Sequence, residues 1–134
     1  MIHLDTTFLV DLLREARRRD RGAATRKLES LVDEELGISL FVLCELEAGA
    51  ALASRAEEER DRVRSLISRL ALVLPEATLA ERYGELLAAL RSRGEAIATM
   101  DLLIASAALA DAAPLVTRNV RHFDRVPGLE VLGY

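Results

Sequence analysis

An α/β domain built on a short-stranded parallel sheet is the fold class this sequence predicts, and three observations predict it. Short apolar runs at 2–4, 36–39 and 71–74 alternate with longer stretches whose apolar residues recur at helical spacing. The runs lack polar alternation, as strands buried on both faces do. Residues 102–110 contain one polar side chain, Ser106, so they predict a helix that is buried all round. Helices covering both faces of a sheet enclose one core, and 134 residues with 51% apolar content suffice for a single domain over 1–134.

The elements follow in order. Residues 2–4 form the first strand and stop at Asp5. Thr6 and Thr7 offer an N-cap for a helix with Phe8, Leu9, Val10, Leu12 and Leu13 in its stripe. Its basic end, Arg14 and Arg17 to Arg19, suits a helix C-terminus. A second helix is predicted over 23–35 with Leu28, Leu31 and Val32 facing inward. Residues 36–39 are the second strand, and Ser39 leads into a helix over 41–54. An Arg- and Glu-rich helix over 57–70 buries Val63, Leu66, Ile67 and Leu70.

Residues 71–74 are a third strand, closed by Pro75. The helix over 78–93 turns Leu79, Tyr83, Leu86, Leu87 and Leu90 inward and stops at Gly94. After a loop over 95–100, Asp101 opens the buried helix, which Asp-Ala-Ala-Pro at 111–114 breaks. Leu115, Val116 and Thr117 read as a strand with a polar tip, Arg118 and Asn119. A single turn at 120–123 and Pro127-Gly128 precede a last strand over 129–132.

Composition narrows the function. Aromatics are 4% with no Trp, which argues against a base-stacking sheet. A net charge of −4 disfavours broad nucleic-acid binding, although local patches override a global balance. Cys44 stands alone, reads as a small core residue, and leaves no disulfide framework or cysteine zinc site; a reducing cytoplasm fits. His3 and His122 lack metal-ligand spacing. Met-Ile-His-Leu-Asp reads as a strand and not a signal peptide, and no apolar run reaches membrane-spanning length. Neither a Gly-x-Gly-x-x-Gly nor a Gly-Lys-Ser/Thr occurs.

The acids carry the chemistry. Asp5 ends the first strand, so it belongs at the carboxyl edge of the sheet, where α/β folds bind ligands. Asp101 opens the buried helix, and Asn119 lies just past a strand end. Glu45 sits in an apolar helix, one turn before Gly49. Glycine inside a helix costs roughly 1 kcal/mol relative to alanine, so Gly49 predicts a close approach beside Glu45. Asp11 and Asp111 read as solvated helix positions. Asp5, Glu45 and Asp101 can converge on one edge, and clustered carboxylates repel unless a cation neutralises them. Hard oxygen ligands suit Mg²⁺ or Mn²⁺, which can activate water and stabilise a leaving oxygen. Phosphodiester hydrolysis is the chemistry this set suggests.

Nearly the whole chain resembles the PIN-domain ribonucleases, specifically the VapC toxins of bacterial toxin–antitoxin pairs. The resemblance rests on Ile2-His3-Leu4-Asp5-Thr6, Glu45-Leu46-Glu47-Ala48-Gly49, Asp101-Leu102-Leu103-Ile104-Ala105 and the segment 115–123. It implies a PIN-like three-layer α/β/α fold with Asp5 and Asp101 as Mg²⁺ ligands and Glu45 completing the acidic cluster. It also implies cleavage of structured RNA, a VapB-like antitoxin and a homodimer. The family's fourth acid falls at Asn119 or at His122, and neither is acidic here; Thr7 replaces the usual Asn after the first Asp-Thr. Asn119 can ligate or hold a water through its carbonyl oxygen but brings no charge.

Arg14, Arg17 to Arg19, Arg91, Arg93, Arg118 and Arg121 are the sources of positive charge for RNA, with Arg118 nearest the proposed edge and Thr6 beside Asp5. Rival readings fall on single residues. Aspartyl-phosphate phosphatases want Asp-x-Asp where Asp5-Thr6-Thr7 stands, and a phosphoacceptor receiver wants a late lysine where the only one is Lys27. A PIN scaffold that binds RNA or a partner without cutting is the remaining alternative, favoured by the missing fourth acid.

Overall fold

The computed structural model describes all 134 residues. The elements run β1 (Ile2–Leu4), α1 (Thr6–Arg18), α2 (Ala23–Ser30), β2 (Leu36–Ser39), α3 (Leu40–Leu52), α4 (Ala56–Ile67), β3 (Ala71–Val73), α5 (Ala77–Ser92), α6 (Thr99–Ala110), β4 (Leu115–Val116), α7 (Val120–Phe123) and β5 (Val131–Leu132). All strands pair in parallel, in the order β3-β2-β1-β4-β5. The chain steps outward from β1 to β3 through α1–α4, then returns past β1 to β4 through α5 and α6. Crossovers of a single hand place those two helix groups on opposite faces, which makes the predicted α/β/α layers.

β1 lies at the centre and is buried at every position. His3 and Leu4 stand opposite Leu115 and Val116 of β4, while Ile2 stands opposite Leu36 of β2. One core joins Leu4, Phe8 and Leu9 to Ile38, Leu90, Leu115 and Phe123. α6 supplies Leu102, Ile104, Ala105 and Ala108 to it, as its unbroken apolar run predicts. Ser106, fully buried, donates its hydroxyl to the carbonyl of Leu102 at 2.6 Å, so no polar atom is stranded there. No helix is long and apolar enough to cross a membrane.

Several local expectations are corrected. The N-cap of α1 is Asp5, in extended conformation and without a side-chain cap bond, so neither Thr6 nor Thr7 caps. α2 ends at Ser30, short of the predicted residue 35, and Val32 is 80% exposed. The acidic run Asp33-Glu34-Glu35 would oppose the dipole at a helix C-terminus. α2 is instead held at its start, where Glu15 of α1 accepts from the backbone amides of Ala24 (3.0 Å) and Thr25 (2.8 Å). Burial works to raise the Glu15 carboxyl, but the Thr25 hydroxyl and the amides of Thr25, Ala24 and Gly22 outweigh it and hold it below its ordinary value. Cys44 is exposed rather than in the core. Gly94, at φ +65°, follows the end of α5 as expected, in a conformation glycine adopts freely.

Candidate active site

The strand order reverses between β1 and β4, and in parallel α/β sheets ligands bind beyond the carboxyl ends at such a switch point. Asp5 follows β1 there and Thr117 follows β4. The Asp5 amide donates to the carbonyl of Val116 at 2.9 Å, continuing the ladder one step past the strands. Its carboxylate is 2% exposed. Thr7 Oγ1 and Thr117 Oγ1 each donate to Asp5 Oδ2 at 2.7 Å, leaving Oδ1 without a side-chain partner. The same hydroxyls accept backbone amides, Thr7 from Arg118 at 3.2 Å and Thr117 from Asn119 at 3.0 Å. Two threonines therefore orient the buried acid and hang the loop after β4 from it.

Asp101 sits in the first turn of α6, partly buried. Burial pushes its carboxyl above the ordinary value, and the negative charge of Asp5 adds to that; His122 acts in the opposite sense. His122 Nε2 lies 3.0 Å from Asp101 Oδ2, so one of the two groups carries a proton between them. Glu45 accepts from the Thr6 hydroxyl at 2.7 Å, next in sequence to Asp5. The acids reach one edge without forming a closed cage: no three His, Cys, Asp or Glu side chains come close enough to grip a metal by themselves. What the edge offers is a carboxylate pair, Asp5 and Asp101, with Glu45 tied to Thr6. Such oxygen donors fit Mg²⁺ or Mn²⁺, which take one or two carboxylates and keep several waters. A divalent cation would also relieve the repulsion that penalises ionised Asp101.

Arg118 and Asn119 flank this edge and are exposed. The Asn119 amide is held by Thr117, while its side chain makes no hydrogen bond. Arg118 Nη1 chelates Asp11 at 2.8 and 3.0 Å. Asp11 also accepts from Tyr134 Oη at 2.7 Å and pairs with Arg14 at 3.3 Å. Tyr134 packs edge-on against Phe8, ring centroids 5.0 Å apart. Burial and then the Asp11 bond push the Tyr134 phenol above its ordinary value.

Four roles carry no mark in the sequence. Asp11 is no solvated face residue but the hub that fixes Arg118, and its partners lie 107 and 123 residues away, so no local pattern marks it. Thr117 read only as a strand residue. The Thr7 hydroxyl is retained as the sequence implied, but its task is to hold Asp5. Asp111 likewise binds buried His3, at 2.7 Å, on the other end of α6. Gly49 marks no close approach within the chain: a Cβ there would meet nothing within 4 Å. Glu47 takes no part in the site and pairs loosely with Arg60 at 3.9 Å.

The family model for the PIN domain matches residues 2–129. The chain is 38% identical to ribonuclease VapC2 of Rickettsia felis over 94 residues, 70% of each chain. It is 29% identical to the tRNA(fMet)-specific endonuclease VapC of Shigella flexneri over 111 residues, 83% of this chain and 84% of that one. Superposed on a chain from the crystal structure of VapBC2 from Rickettsia felis bound to a DNA fragment from their promoter, it gives a TM-score of 0.91 at 32% identity, covering 100% of this chain and 99% of that one.

Proposed function

The chain belongs to the PIN-domain family, and we propose that it is a Mg²⁺-dependent endoribonuclease toxin that hydrolyses RNA phosphodiester bonds and is neutralised by a VapB-like antitoxin. The observation that carries the reading is the Asp5–Asp101 pair at the sheet's switch point, one acid clamped by two hydroxyls and the other set against His122. Ribonuclease relatives and the likeness to a VapBC assembly support the activity and the partner. Cytoplasmic action and a homodimer belong to the same reading.

Asp5 and Asp101 are the residues that would hold the cation. When bound, it would lend Lewis-acid stabilisation to the scissile phosphate and lower the pKa of an attacking water. The protein's own contribution is order. Thr7 and Thr117 remove the freedom of the Asp5 carboxylate, so no reorganisation is needed when charge develops beside it. His122 Nε2 hydrogen-bonds Asp101 Oδ2 and orients it. Glu45, which accepts from the Thr6 hydroxyl beside Asp5, is the carboxylate this reading assigns to take a proton from the attacking water. Asn119 offers an uncharged amide where the family's fourth acid can stand.

The test is cleavage of total RNA by the purified chain with Mg²⁺ or Mn²⁺, beside Asp5→Asn and Asp101→Asn. Discrete fragments that require metal and vanish in both variants support the reading, and sequencing their ends, with initiator tRNA as the first species inspected, identifies the substrate. No cleavage by folded, metal-saturated and antitoxin-free protein would transfer support to the non-cutting scaffold, with Asn119 and His122 as the reason.

A further inference from the structure

A concave surface opens on the far side of His122 from Asp101. It has a volume of about 590 Å³ and is lined by Arg118, Asn119, Val120, Arg121, His122 and Arg125. Three of its six lining residues are arginines and none is acidic, on a chain whose net charge is −4. Arg118 is held in place by Asp11, whereas Arg121 and Arg125 are exposed and have no ion-pair partner. The wall is not loose. Arg93, just after α5, donates to the Arg125 carbonyl at 3.0 Å, and the Arg118 and Asn119 amides are fastened to Thr7 and Thr117. His122 lines this pocket and also pairs with Asp101, so a single side chain separates the pocket from the acid pair.

Unpaired guanidinium groups on a fixed concave wall suit phosphate, which arginine binds with two parallel hydrogen bonds. The volume falls within the roughly 300–1,000 Å³ of small-ligand sites, enough for a nucleotide unit. We propose that Arg121 and Arg125, with Arg118, bind the backbone phosphate of the RNA next to the one being cut, and so set the register of the strand across Asp5 and Asp101. This rests on the ribonuclease reading and adds to it a subsite and two positioning residues that never touch the scissile phosphate. An anionic strand then meets a clamp of opposite charge at one phosphate and carboxylates needing a cation at the next.

The experiment compares Arg121→Gln/Arg125→Gln with the wild type, using the RNA oligonucleotide that spans the mapped cleavage site. Salt-dependent anisotropy in EDTA reads binding, and initial rates in Mg²⁺ read KM and kcat. The expected result is a salt slope shallower by about 0.7 for each lost phosphate contact and a KM raised about tenfold with kcat little changed. Arg121→Lys/Arg125→Lys should recover most of the slope, because charge is restored. Arg64→Gln/Arg69→Gln, exposed on α4 and in the turn after it, removes the same charge elsewhere and should leave both readouts alone. An unchanged slope and KM in the Gln pair, or an equal loss in the α4 control, overturns the proposal. So does loss of binding to a purified VapB-like antitoxin with RNA binding intact, which would assign the pocket to protein. Should the wild type cut no RNA, the ribonuclease reading fails by itself, and the salt slope, read instead on a single-stranded RNA oligonucleotide of arbitrary sequence, still decides whether the arginines bind the strand.

Discussion

Replacing Thr117 by valine removes one hydroxyl and keeps the shape. That hydroxyl donates to the buried Asp5 carboxylate at 2.7 Å and is itself fully buried. A hydrogen bond to a charged group contributes about 1.5–3 kcal/mol, and leaving the acceptor short of a partner adds to the loss. Two effects moderate it. Thr7 still donates to the same oxygen, and the added methyl recovers up to about 0.8 kcal/mol of transfer energy. The expected net cost is about 2 kcal/mol. With a urea m-value of roughly 1–3 kcal/mol/M for a small protein, the midpoint falls by about 1 M. Thr117→Ser, which keeps the donor, should unfold close to the wild type. The same pair separates stability from function: at temperatures where both are folded, the valine variant should cleave RNA more slowly because one hydroxyl rather than two holds Asp5. A valine variant that unfolds within 0.5 kcal/mol of the wild type and cleaves at the same rate would refute the role given to the hydroxyl clamp, since that margin is smaller than an ordinary hydrogen bond.

Three further outcomes follow from the same geometry. Burial and the Asp5 charge raise the Asp101 carboxyl, so stability is fullest below its ordinary value of 3.8 and is lost as pH rises through the folded value; Asp101→Asn should therefore raise the urea midpoint of metal-free protein at pH 7, give no gain at pH 3, and abolish cleavage. Glu15 is shifted the other way, so its contribution is present above its ordinary value of 4.5 and lost as pH falls through the folded one. Glu15→Ala should cost about 1 kcal/mol at neutral pH, the size of a lost N-cap, and flatten the acid side of the stability profile measured by urea unfolding. Gly49→Ala should stabilise α3 by about 1 kcal/mol in thermal or urea unfolding, because the new methyl meets nothing and the helix gains propensity; destabilisation would contradict the open space seen there.

The skeleton of the fold was legible because burial writes itself into local composition. The strands at Ile2–Leu4 and Leu36–Ser39 have the bounds their apolar runs predict, and α6 is buried as its single serine implies. Asp5 was legible as an edge residue for the same reason: a lone acid directly after a buried strand has one place to go. What was not legible is pairing over long separations. Thr117 meets Asp5 across 112 residues, and Tyr134 meets Asp11 across 123, with no periodicity to announce either. Cys44 and Val32 were misplaced because apolar character was taken for burial, and a small protein cannot cover every apolar side chain. The Gly49 expectation failed because propensity alone does not distinguish a needed glycine from a tolerated one.

The place of β1 has a consequence for when the site can exist at all. It is the first of the five strands in chain order and the centre of the sheet, yet β4, which completes its other side, is separated from it by more than 100 residues of chain. Parallel pairings of that span close late, because loop entropy must be met before the contact rewards it. During synthesis Asp5 therefore emerges long before Thr117, and Asp101 before His122, so the acid pair lacks its partners until the segment after β4 has left the ribosome. Under the proposed function, a nascent chain that stops short of β4 lacks the clamped acid pair on which cleavage depends.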